Sequence, residues 1–144
     1  MNIKFRGKRV DNGEWVYGNF VFSKDVDDEF HSIIIPFENS NMFTNDLSND
    51  LGFENWYIVD LKTVSQFTGL KDKNGVEIFE GDLLKSYDEY GNIDVDKVIY
   101  NTSHCKFMLV SDSESRLPIG LGEYSSFTLE VIGNIHEVNH ETTM

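Results

Sequence analysis

A mainly β fold is predicted by three features of the sequence. It contains no alanine, while Val, Ile, Phe and Tyr number 12, 11, 11 and 6; lacking the best helix former and favouring β-branched and aromatic residues tilts a chain toward strands. Apolar and polar residues alternate over many short stretches. Turn dipeptides separate those stretches at short intervals, the pattern of a small antiparallel β domain. At 144 residues, 40% hydrophobic and 13% aromatic, the chain is long enough to bury one core without disulfide or metal support.

Residues 3–22 read as a hairpin. Asp11-Asn12-Gly13 supplies the positive φ angles of a tight turn. Beyond it Trp15, Tyr17, Asn19 and Val21 face one way and Val16, Gly18, Phe20 and Phe22 the other. The face of Trp15 and Tyr17, opposite Lys4 and Arg6, suits either base stacking or a core, and a core is the simpler expectation. After the acidic loop Asp25–Glu29 comes a short strand, Ile33–Ile35, closed by Pro36. Residues 37–55, rich in Asn, Ser and Asp with no clean period, are expected to form a surface excursion with one helical turn. Trp56–Val59 is a strand. Asp60 stands as an N-cap before Leu61, Val64 and Phe67 at helical spacing, with Gly69 as a stop, so one short helix is expected here.

Turns at Asn74-Gly75 and Glu80-Gly81-Asp82 bracket a strand over Val76–Phe79. Strands at Leu83–Tyr87, Asp96–Tyr100, Cys105–Val110 and Phe127–Ile135 follow, split by turns at Gly91-Asn92 and Pro118-Ile119-Gly120. Such spacing predicts a small antiparallel barrel for this half.

The formal net charge of -13 is uneven. Residues 1–24 carry five bases and two acids, 25–60 nine acids and no Lys or Arg, and 61–85 four of each. This disfavours a nucleic-acid partner, which calls for a net basic face. One cysteine, Cys105, excludes an intrachain disulfide and points to the cytoplasm. Neither an apolar leader nor a run of membrane-spanning length is present, so no membrane association is expected.

Several motifs offer chemistry and are better read without it. His136-Glu137-Val138-Asn139-His140 matches the zinc-protease spacing, but it leaves a predicted strand rather than lying in a helix. The 25–29 loop has Phe30 and Pro36 where a calcium loop needs Gly and Glu. His104 and Cys105 are adjacent on a predicted strand and would face opposite ways, with Cys105 buried near Phe107 and Leu109. Neither a catalytic constellation nor a cofactor or metal site is expected. The candidate interaction residues are Gln66, Thr68 and Asp72, polar among apolar anchors, with Glu80 and Asp82 flanking a turn glycine. For each, local hydrogen bonding is the plainer role.

Three segments carry a likeness: KFRGKRVDNGEWVYG near the start, VDLKTVSQFTGLKDKNGVEIFEGDLL at 59–84, and LEVIGNIHE at 129–137. In that order and at those distances the chain resembles the YopX family over nearly its whole length, as one domain of sub-regions 1–58 and 59–144. The resemblance implies a β-rich fold whose second half is an SH3-like barrel packed with the short helix and the N-terminal hairpin. It also implies a phage or prophage origin and a family without an established activity. Leu61 and Lys62 replace the usual Pro-Glu, and the tail VNHETTM lacks the proline often found there. The function expected is that of a non-enzymatic accessory protein binding a host or phage protein or itself. An alternative is an acidic decoy for a nucleic-acid-binding host protein.

Overall fold

Thirteen short strands, many alternating buried and exposed side chains, and two single 3-10 turns make up the described part of the computed structural model, residues 2–45, 47–87, 89–111, 117–123 and 128–137. The chain divides into two units, Met1–Gln66 and Phe67–Met144.

In the first unit β1 (Phe5–Lys8), β2 (Trp15–Lys24), β3 (Phe30–Pro36), β4 (Met42–Asn45), β5 (Asp50–Phe53) and β6 (Tyr57–Ile58) precede a 3-10 turn at Leu61–Thr63. The strands β6, β3, β2 and β1 pair antiparallel in that order. The expected turn holds: Gly13 has φ +73°. A core of Val16, Ile34 and Val59, with Phe5, Phe20, Tyr57 and Val64 against it, lies on one face. That face is the one carrying Val16, so the expectation for Trp15 and Tyr17 is corrected. Tyr17 is 43% exposed, and Trp15 lies under the Arg6 guanidinium, 4.7 Å from ring centre to Cζ. Gly18 is required by close approach, because a Cβ there would collide with the carbonyl of Ile35 on β3.

The excursion at 37–55 is also corrected. In place of a helical turn it forms a two-stranded ribbon, β4 against β5, with Met42 opposite Phe53 and Thr44 opposite Leu51. Among the described residues neither strand pairs with any other. Ser40 and Asn55 lace its base: Ser40 Oγ donates to the Asn55 carbonyl at 2.6 Å and accepts from Asn55 N at 3.1 Å.

The helix expected after Asp60 is a further correction. Asp60 does cap, accepting from Lys62 N at 3.1 Å, but the helical stretch stops after Thr63. The Thr63 hydroxyl donates back to the Asp60 carbonyl and accepts from Lys8 N on β1. Residues after it join β7 (Ser65–Lys71), whose first two pair with Arg6 and Phe5. Thr63, Ser65 and Phe67 are buried alternately, a period of two that outcompetes the three-residue spacing of Leu61, Val64 and Phe67. Gly69, read as a helix stop, has φ +92° and sits where the β7 pairing shifts register, a bulge position.

The second unit continues through the end of β7, then β8 (Glu77–Phe79), β9 (Asp82–Tyr87), β10 (Ile93–Asn101), β11 (Lys106–Ser111), β12 (Ile119–Gly120), a 3-10 turn at Leu121–Glu123 and β13 (Glu130–Asn134). A five-stranded antiparallel sheet runs β12, β11, β10, β9, β13. No ladder joins its two ends among the described residues, so the pairing does not close into the expected barrel. Phe127, where the last strand was expected to start, lies outside the described residues. Ile78, Leu84, Val98, Leu109, Leu121 and Leu129 form the core. Asp96 and Ser86 are buried within β10 and β9.

Candidate functional site

The family-like segments meet one another, and the meeting points are made of polar side chains holding backbone. In the second unit Asp72 follows β7 and opens the turn before β8. Its Oδ1 accepts from Asn74 N at 2.8 Å and Val76 N at 2.9 Å, folding the turn around Gly75. Its Oδ2 accepts from Val131 N on β13 at 2.9 Å, 59 residues away. Beside it Lys73 N donates to the Leu129 carbonyl at 3.0 Å, and Lys73 Nζ lies 3.6 Å from the Glu130 carboxylate. Asp72 is 6% exposed. Burial pushes its carboxyl pKa up, but the N–H groups of Val131, Val76 and Asn74, with Lys73 nearby, outweigh that and hold it below the ordinary value.

Two of the other expected residues, Thr68 and Asp82, behave similarly. Thr68 Oγ1 donates to the Ile78 carbonyl at 2.7 Å and accepts from Leu70 N at 3.2 Å, bridging the bulge. Asp82 is fully buried and its Oδ2 accepts from Phe79 N at 2.8 Å, closing the turn through Glu80 and Gly81. Glu80 projects from that turn half-buried, and burial raises its carboxyl pKa. Gln66 stands in the first unit, paired in register with Phe5. Buried Asp96 and Ser86 were missed by the sequence reading. The available signal was that Asp96 lies two residues from Val98, on the inward face of β10 opposite Leu84.

The first unit shows the same joinery. Asp60 N donates to the Lys8 carbonyl and Arg9 bridges Val59, so the opening segment and the start of the central one are bonded together.

The motifs weighed for metal or nucleophilic chemistry find other surroundings. In the loop after β2, ligand atoms of Asp25, Glu29 and His31 lie within 4.8 Å of one another. Asp25 shapes the turn there, accepting from Asp27 N and Glu29 N through Oδ1 and pairing with His31 Nε2 at 2.7 Å through Oδ2. The His31 bond, then the backbone bonds, hold its carboxyl below the ordinary range. Cys105 is not buried beside Phe107, as expected, but exposed in the turn between β10 and β11, with φ +51°. Of the His136–His140 motif, His136 and Glu137 leave β13 through a turn; Val138, Asn139 and His140 lie outside the described residues.

Two recesses among the described residues are largely apolar. A cleft of about 280 Å³ in the second unit is bounded by Thr68, Leu70, Phe107 and Leu121, with the Lys106–Glu123 ion pair at 3.5 Å on its rim. A recess of about 210 Å³ in the first unit is lined by Val10, Asp11, Trp56, Tyr57 and Ile58. Here the Arg9 guanidinium lies 4.0 Å over the Tyr57 ring and is held by Asp11 at 2.6 Å. No helix among the described residues is long and apolar enough to cross a membrane.

The fold is similar to that in the crystal structure of protein EF1440 from Enterococcus faecalis, at a TM-score of 0.59 and 23% identity, covering 94% of each chain. At that identity the likeness concerns fold alone. No curated protein matches the chain. The family model described as YopX protein matches residues 4–140. The three segments that lace each unit together all lie within that match, and the chain belongs to the YopX family.

Proposed function

We propose that this protein is a non-enzymatic accessory protein of a phage or prophage that acts in the host cytoplasm by binding another protein, of host or phage origin, or a second copy of itself. One observation carries the reading. The polar side chains of the family-like segments hold turns and strand edges, as Asp72 does with Val131, whereas the open recesses are lined chiefly by apolar side chains such as Leu70, Phe107 and Trp56. Apolar recesses with few polar groups suit protein recognition, and the second unit's open five-stranded sheet is read as a relative of SH3-like barrels, which commonly bind through grooves and strand edges.

A second reading rests on the nine acids and absence of Lys or Arg in residues 25–60. A surface of that charge can occupy the nucleic-acid site of a host protein as a decoy. Affinity capture of the tagged chain from host lysate at low and high salt, followed by mass spectrometry, separates the two. The main reading expects one specific protein retained at low salt and not displaced by DNA, whether or not high salt weakens it. Loss of that protein at high salt, together with competition by DNA, supports the decoy. Recovery of the bait alone, with a strictly monomeric chain by light scattering, contradicts both.

A further inference from the structure

The β4–β5 ribbon is an unusual place to put apolar side chains. Cross-strand neighbours share a face, so Met42, Phe53, Thr44 and Leu51 form one face of the ribbon. Met42 and Leu51 on it are 62% and 61% exposed, and Phe43 on the other face is 57% exposed. The Phe43 ring lies across Gly52 so closely that a Cβ at Gly52 would strike it. That contact lays the Phe43 ring along its own face, and Met42 and Leu51 stay exposed on the other. An isolated two-stranded ribbon is marginal in water, and both strands here have an outer edge that no strand pairs among the described residues. Such an edge accepts an added strand.

The charge around the ribbon says what kind of strand. Glu54 closes its base, accepting from Asn41 N at 3.2 Å, and Asp50 lies on β5; the whole stretch 25–60 holds nine acids and no Lys or Arg. Asp50 shares the face of Phe43 and Gly52, so a second copy added at the β5 edge would set acid beside acid, which costs at a strand interface. A partner with bases alternating with apolar residues meets both the charge and the apolar face.

We propose that the β4–β5 ribbon is a docking arm for an extended segment of a partner protein in which Lys or Arg alternates with aliphatic residues. This rests on the protein-binding reading above and narrows it to one element and one partner chemistry.

The test is a titration of the full chain, followed by backbone amide NMR, with three short peptides: Lys alternating with Val, Glu alternating with Val, and Lys alternating with Ser. The Lys–Val peptide is expected to shift amides of residues 41–45 and 50–54 saturably, and more weakly as salt rises. The other two are expected to leave them unmoved. In a Met42→Ser, Leu51→Ser double variant, binding should fall at least about tenfold, as loss of two apolar contacts implies, with the spectrum elsewhere unchanged. Equal binding of the Glu–Val peptide overturns the proposal. Ribbon amides that broaden with protein concentration alone make the occupant a second copy and also overturn it. Shifts confined to Leu70 and Phe107 overturn the arm but leave the protein-binding reading standing; no saturable shift with any peptide counts against both.

Discussion

Asp72 shows what a polar residue in a family motif can be for. A carboxylate that accepts three backbone N–H groups is spent on architecture, and hydrogen bonds to a charged acceptor of this kind are worth more than neutral ones. Asp72→Asn keeps one carbonyl oxygen and turns an NH2 group toward a backbone donor. We expect it to cost about 2 kcal/mol or more, read as a lowered urea midpoint at pH 7. The Asp72 pKa is lowered in the fold, so its contribution is complete above the unfolded value of about 3.9 and is lost as pH falls through the folded one. The gap between wild type and Asp72→Asn should therefore narrow below about pH 4. Glu80 has the opposite sign. Its raised folded pKa means its favourable contribution exists below the unfolded value and is lost as pH rises through the folded one. Glu80→Gln is expected to raise the midpoint at pH 7, with the gain vanishing once Glu80 is protonated in both states. A midpoint that falls at pH 7 would show that Glu80 makes a favourable contact when charged.

At the scale of elements, most strands were legible because alternation of side chains is a strong local signal. The hairpin turn at Gly13 and the turn before β8 were legible through Asp11-Asn12-Gly13 and Asn74-Gly75. The helix at Leu61–Phe67 was misread because three-residue spacing also fits a strand when the intervening residues are Thr63 and Ser65. What decides between the two is the bond from Lys8 N to the Thr63 hydroxyl, a partner 55 residues away and invisible to a local pattern. Gly69 was misread with it, since a positive φ serves a bulge as well as a helix end. The ribbon at 42–53 was illegible for a different reason: both of its faces are exposed, so its apolar residues follow no buried period. Because Ser40 and Asn55 close its base, replacing residues 41–54 by a short Gly-Ser turn should leave a cooperative urea transition with a little-changed midpoint. Loss of cooperativity would mean that the ribbon is part of the first unit's core rather than an appendage.

For the whole molecule, the sequence located the residues of the candidate segment but could not tell scaffold from surface. Thr68, Asp72 and Asp82 stood out as polar residues among apolar ones, and the structure attaches each to backbone. Cys105 and the Trp15–Tyr17 face were assigned to the interior by alternation alone; Cys105 is instead exposed in the turn between β10 and β11, and Val16 rather than Trp15 or Tyr17 enters the core. The acidic bias of residues 25–60 was plain from the start; that the stretch includes an exposed apolar ribbon was not. The central claim is that the polar side chains of the family-like segments are scaffold and that the proposed binding surface is the apolar β4–β5 ribbon, outside those segments. Hydrogen exchange by mass spectrometry, on the free chain and on the complex captured from lysate, tests this most directly. Slowed exchange within residues 41–54, with 59–84 unchanged, is the predicted result; protection confined to 59–84 would contradict it and make Gln66, Thr68, Asp72, Glu80 and Asp82 the contact surface.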